Sequence, residues 1–222
     1  MSVNERHVAV IDPGSRVAEL DAFNRLMELS HSRFSYHLPA MFGMESLHDL
    51  SNKPDAIIIF GSGASVYDDL PWQSPFNQWL ETMLCADVPT LGLCYGHQLL
   101  AHLCGGKVGF VHHDQRKLSG ARTVTITSDG FWGQTGRPYR WIVSHRECVV
   151  QLPSDFINIA SSDEVKCEAF AHRQRPIWGV QAHPEAGPGF VRNQEIKLEE
   201  SADPVLNDGR DFMRKFLQRI VR

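Results

Sequence analysis

The chain has 222 residues, 42% of them hydrophobic and 22% charged, which is enough for one sizeable core and predicts a single domain over residues 1–222. Its 22 Lys and Arg against 26 Asp and Glu give a formal net charge of -4, with no basic run to neutralise phosphates, which argues against nucleic acid as a ligand. The first residues lack the charged-then-apolar pattern of an export signal, and no apolar stretch approaches the roughly 18 residues of a membrane span, so a cytoplasmic protein without membrane contact is expected. Cys85, Cys94, Cys104, Cys148 and Cys167 form no C-x-x-C pair, so neither a disulfide framework nor a zinc knuckle fits.

Residues 7–11 (H-V-A-V-I) form a short apolar run closed by Asp12-Pro13-Gly14, which predicts a strand. Val17, Leu20, Leu26, Met27 and Leu29 then recur at helical spacing, and residues 33–37 predict the next strand. The continuous apolar run 55–60 has the character of a strand buried on both faces of a parallel sheet, and it stops at Gly61-Ser62-Gly63. Trp72, Phe76, Trp79, Leu80, Met83 and Leu84 mark an amphipathic helix, followed by a strand over 89–93. This β-α-β order predicts an α/β fold with a doubly wound, mostly parallel sheet flanked by helices. Residues 121–127, 141–144, 157–160, 168–171 and 177–180 are strand-like with few helices between them, which predicts an added small antiparallel portion. Asp208 is expected to cap a final helix that buries Phe212, Met213, Phe216, Leu217 and Ile220, and residues 187–207 are expected to form a mobile, charged surface segment.

The most informative stretch is P-T-L-G-L-C-Y-G-H-Q-L-L-A, residues 89–101. A buried strand ends at Cys94 and a helix begins at once, with Gly92 and Gly96 flanking the cysteine in the form of a strand-turn-helix nucleophile elbow. A thiol at a helix N-terminus is favoured as thiolate by unpaired N–H groups and the helix dipole. Cysteine chemistry on an amide also needs a base and a carboxylate to orient it, and His183-Pro184-Glu185, after the strand 177–180, supplies both. The Tyr95 N–H at the helix start is a candidate donor to a developing oxyanion. His97 and His102 fall on the helix after the elbow, where packing or surface roles are expected, and His112-His113 has no ligand set to complete a metal site, so no metal is predicted.

Residues 92–106, G-L-C-Y-G-H-Q-L-L-A-H-L-C-G-G, resemble the nucleophile signature of class I glutamine amidotransferases, and residues 180–185, V-Q-A-H-P-E, resemble the signature that completes their triad. Residues 61–72 further resemble the stand-alone, GMP-synthase-like branch that includes γ-glutamyl peptidases, and the likeness runs over residues 50–190 with the signatures in family order. The resemblance implies Cys94, His183 and Glu185 as catalytic triad and no cofactor. The family's second oxyanion donor comes from a Gly-Gly-Pro loop, where this chain has Gly61-Ser62-Gly63, so the Ser62 N–H takes that role. Gly61, Gln98, Ser144 and His145 are then expected to meet the amino-acid end of the substrate, while Arg146 and Glu147 depart from the family's usual small or aromatic residues. The implied activity is cleavage of the γ-amide of glutamine or a γ-glutamyl compound through a γ-glutamyl thioester. A fused synthase module is not expected within 222 residues, so ammonia is expected to go either to a separate synthase subunit or to solution. A non-catalytic binding or regulatory relative is the alternative from another class.

Overall fold

The computed structural model of the chain describes residues 6–50, 52–198 and 201–220. The first half alternates β1 (His7–Ile11), α1 (Leu20–Met27), β2 (Arg33–His37), the single-turn helices α2 (Pro39–Phe42) and α3 (Glu45–His48), β3 (Ala56–Ile59) and α4 (Gln73–Cys85). It continues with β4 (Thr90–Leu93), α5 (Tyr95–Leu103) and β5 (Lys107–Phe110). A strand-rich portion follows: β6 (Leu118–Ile126), β7 (Pro138–His145), β8 (Glu147–Gln151), β9 (Phe156–Ser161), β10 (Ala169–His172) and β11 (Ile177–Val180). Helices α6 (Pro188–Asn193) and α7 (Ala202–Ile220) complete the order.

Nine strands form one sheet in the order β2-β1-β3-β4-β11-β10-β9-β6-β7, and β5 pairs with β8 in a second, antiparallel pair. The first five strands run parallel, whereas β10, β9, β6 and β7 continue the sheet antiparallel. Alternation along the central strands sends side chains to opposite faces. Val8, Val10, Ala56 and Ile58 pack with Ala22 and Leu26 of α1 and with Phe212, Met213 and Phe216 of α7. Ala9, Ile11, Ile57 and Ile59 pack with Phe76 and Leu80 of α4 and with Leu99 and Leu100 of α5. The result is the doubly wound α/β arrangement with an antiparallel addition. That addition curls back far enough for Ile142 on β7 to bridge His183, whose N–H donates to Ile142 O at 2.8 Å. Among the described residues no helix is long and apolar enough to cross a membrane.

The structure departs from the sequence expectations in four places. Of the apolar residues expected on the first helix, Leu26 is buried with Ala22 and Leu29 packs against the core, while Val17, which precedes the helix, and Leu20 and Met27 are exposed. Helix α7 starts at Ala202, so Asp208 is no cap; its carboxylate accepts the Arg140 N–H at 2.8 Å. The segment 187–207 is not a charged surface strap in its described part: Phe190, Ile196, Val205 and Leu206 are buried in a cluster with Ile142, and residues 199 and 200 lie outside the described residues. Gly189 N–H donates to Asp21 on α1 at 2.9 Å, which fixes α6 against it. Finally, β5 and β8 were not expected, since their outward Phe110 and Val150 hide the alternation.

The close packing of α7 depends on Gly209, where a Cβ would lie 2.4 Å from Pro184 O. The helix therefore rests on the backbone of the H-P-E segment.

Candidate active site

Cys94 stands at the junction of β4 and α5 with φ 51° and ψ -100°, a left-handed backbone that a non-glycine residue adopts only under constraint from its surroundings. The constraint is visible in the neighbours. A Cβ on Gly92 would lie 2.2 Å from Gly96 O, and one on Gly96 would lie 2.6 Å from Ile59 O. Only hydrogen at both positions lets the helix start close over its own strand. The Cys94 N–H donates to Val180 O at 2.9 Å, tying the elbow to β11. Cys94 is 4% exposed, yet it lines a cavity of about 880 Å³.

His183 follows β11, and its Nδ1 pairs with Glu185 Oε1 at 2.8 Å, both side chains being almost fully buried. The Phe190 ring of α6 lies 4.5 Å from the imidazole, centroid to centroid, and limits its rotation. Burial opposes charge on this imidazole. The Cys94 sulfur and Glu185 outweigh it through their charges and hydrogen bonds, lifting the His183 pKa to about 10. With Nδ1 engaged by Glu185, the nitrogen facing Cys94 is Nε2. A folded-state pKa above the ordinary 6.5 makes the charge on His183 stabilising in full below about pH 6.5, and this contribution is lost as the pH rises through about 10. NMR titration of the ring should therefore show an alkaline midpoint in the wild type and a lower one in Cys94→Ala, which lacks the main charge raising it. An unshifted midpoint near 6.5 in the wild type would refute the coupling.

Gly61 touches both groups: a Cβ there would lie 2.8 Å from His183 Cε1 and 3.4 Å from Cys94 Cβ. This position serves proximity as well as lining the cavity. Gly61→Ala should leave the fold intact, since the obstacle is a ring rather than backbone, and push the imidazole aside. A displacement near 1 Å is expected to lower kcat of any reaction that uses the Cys94–His183 pair about 10²-fold. Unchanged kcat would mean that the ring has slack.

The candidate oxyanion donors are the N–H groups of Tyr95 and Ser62. Neither donates to a carbonyl or side chain among the described residues, while the Ser62 hydroxyl donates to Pro13 O at 2.9 Å and accepts the Ala64 N–H at 3.2 Å. The loop that lacks the family's proline is thus held by its serine side chain.

Gln98, Ser144 and His145 also line the cavity. The Gln98 amide nitrogen donates to Glu147 O at 2.8 Å and to Gln181 Oε1 at 3.3 Å, which leaves its carbonyl oxygen for a ligand. His145 Nδ1 donates to the same Glu147 carbonyl at 2.9 Å. Burial and then the neighbouring Arg122 push the His145 pKa down to about 3, so its buried, unpartnered Nε2 is a bare acceptor. The Ser144 hydroxyl is likewise buried without a partner. His97 packs instead, buried and stacked on Phe170 at 4.6 Å, as expected of its helix. Among the described residues no group of three or more His, Cys, Asp or Glu is arranged to hold a metal ion.

Residues that the sequence did not single out complete the walls. Gln181 points its amide nitrogen at Cys94 Sγ, 3.8 Å away. Asp12, fully buried at the end of β1, accepts the N–H groups of Gly14 and Glu19 at 2.9 and 2.8 Å and the Tyr36 hydroxyl, shaping the loop that carries Arg16, Val17 and Glu19 into the cavity. The signal for it was the Asp12-Pro13-Gly14 stop at the C-terminal edge of a parallel strand, where open α/β sheets place ligands.

A family model described as glutamine amidotransferase class-I matches residues 23–199. A glutamine-hydrolysing GMP synthase of Rhodopseudomonas palustris is 33% identical over 196 residues, covering 84% of this chain and 34% of that protein. A separate subunit of the glutamine-hydrolysing GMP synthase of Methanococcoides burtonii is 36% identical over 140 residues, covering 61% of this chain and 67% of that one. The chain spans about a third of the length of the first GMP synthases it matches. A crystal structure of a glutamine amidotransferase from Thermotoga maritima superposes with a TM-score of 0.75 at 18% identity, covering 98% of this chain and 99% of that one, a likeness of fold. With the family model running through the elbow and the H-P-E segment alike, the chain belongs to the class I glutamine amidotransferases.

Proposed function

We propose that this chain is a cysteine amidase that cleaves the γ-amide of glutamine or of a γ-glutamyl compound, acting as one amidotransferase-like domain over residues 1–222. The observation that carries the reading is the strained Cys94 elbow set beside the buried His183–Glu185 pair. His183 already holds the thiol's proton below about pH 10, so Cys94 Sγ is free to attack the γ-carbonyl carbon. Tyr95 and Ser62 N–H groups receive the developing oxyanion, and the C–N bond breaks as His183 passes its proton to the departing amine. Water, deprotonated by His183, then attacks the thioester carbonyl, releasing glutamate and restoring the thiol. Glu185 keeps the imidazole oriented and stabilises its charge. Acceptors at Gln98, His145 and Ser144 suit the amino-acid end of the substrate.

Incubating the purified chain with glutamine and with γ-glutamyl peptides, and measuring ammonia, amine and glutamate, tests this directly. A glutamine-like electrophile should label Cys94 stoichiometrically and no other cysteine. A second reading, a glutaminase subunit that passes ammonia to a separate synthase, is favoured by the likeness to the Methanococcoides GMP synthase subunit. It is chosen if the folded chain is inactive alone on every amide and becomes active when a synthase-containing extract is added.

A further inference from the structure

The proposed chemistry fixes where the amine half of a substrate lies, because His183 must hand its proton to the departing nitrogen. The residues lining the cavity fall into two arms, each tied together by its own contacts. One is built by Gln98, Ser144, His145 and Glu147, tied together at the Glu147 carbonyl. The other lies on the His183 side, where α6 sets Phe190 against the imidazole, and the Gln194 amide donates to Glu19 Oε1 at 3.3 Å, joining the end of α6 to the β1–α1 loop.

This second arm is furnished for more than ammonia. Arg16 is exposed at its wall and forms no hydrogen bond or ion pair among the described residues. Val17 offers an apolar surface, 55% exposed. Glu19 Oε2 is buried without a partner and is available to accept an N–H. The volume of about 880 Å³ lies toward the upper end of the range of about 300–1,000 Å³ for pockets that enclose drug-sized ligands. Glutamine, with about ten non-hydrogen atoms, fills only part of such a space.

From this arrangement we infer that the preferred substrate is a γ-glutamyl amino acid or short γ-glutamyl peptide whose amine half keeps a free carboxylate, with Arg16 holding that carboxylate and Val17 meeting the side chain. The inference rests on the γ-glutamyl thioester reading. A guanidinium grips a carboxylate through paired N–H donors, so loss of the charge on either partner carries a measurable penalty.

The test compares γ-glutamylvaline with γ-glutamylvalinamide, which differ only in that carboxylate. In the wild type kcat/KM should favour the acid about tenfold or more, the scale of one charge-assisted hydrogen bond. Arg16→Gln should bring the two within about twofold, chiefly through KM for the acid, and Arg16→Lys should restore part of the preference. Arg146→Gln, on the opposite arm, should change both substrates alike. Equal use of acid and amide by the wild type, or a preference that survives Arg16→Gln, overturns the assignment. Calorimetric binding of the same pair to Cys94→Ser supplies a readout free of turnover, and there too the acid must bind more tightly. If no amide is hydrolysed and Cys94 resists a glutamine-like electrophile, the thioester reading fails by itself, and the binding comparison still decides for or against Arg16.

Discussion

Cys94→Ala is expected to lower turnover about 10⁴-fold or more, and His183→Ala to lower it almost as far, because members of such a unit act together. Glu185→Gln should lose about a hundredfold less than Cys94→Ala, since it keeps the shape and one hydrogen bond to Nδ1, 2.8 Å away in the wild type, and forfeits mainly the charge that stabilises the imidazolium. Steady-state release of glutamate on the best amide measures all three, with thermal melting to establish that each variant is folded. The decisive pattern is the ranking. Were Glu185→Gln as inert as Cys94→Ala while His183→Ala kept most activity, the base and its orienter would have to be exchanged.

Gly92→Ala should strike stability rather than chemistry. Its new methyl group would lie 2.2 Å from Gly96 O, and the obstacle is backbone at the first turn of α5, which cannot rotate away as a side chain does. Relief requires β4 and α5 to move apart, against the Cys94 N–H bond to Val180 O and the packing of Leu99 and Leu100. An expected loss of about 4 kcal/mol or more places this among the severe single substitutions. Denaturant midpoints, or failure to recover folded protein, would report it. A midpoint equal to the wild type would mean that the elbow is looser than its geometry states.

The same elbow explains why the centre of the site was legible in the sequence. A cysteine between glycines at a strand end leaves few backbone solutions, and each of them presents the thiol at a helix start. The pairing of His183 with Glu185 was equally plain, since the H-P-E spacing brings an imidazole and a carboxylate within one hydrogen bond. The cavity walls were not. Arg16, Val17 and Glu19 gain their meaning from Asp12, which accepts three donors, and the Asp12-Pro13-Gly14 stop marks that loop without saying which of its residues line the cavity. The segment 187–207 misled for a related reason. Its buried residues are spread among Arg192, Glu195 and Lys197, and only contact with Ile142 of β7 reveals which side faces inward. On α1, the apolar spacing found the buried Leu26, but it also counted Leu20 and Met27, which face outward. In each case the missing information was tertiary, whereas the elbow is a local demand of backbone geometry.

The contact of Gly209 with Pro184 has a consequence for the making of the protein. As the chain is synthesised, Cys94, His183 and Glu185 all leave the ribosome before α7, so the packing over Pro184 is completed only when α7 settles on it. For the amidase proposed above, full activity is therefore expected to arrive only with the docking of α7.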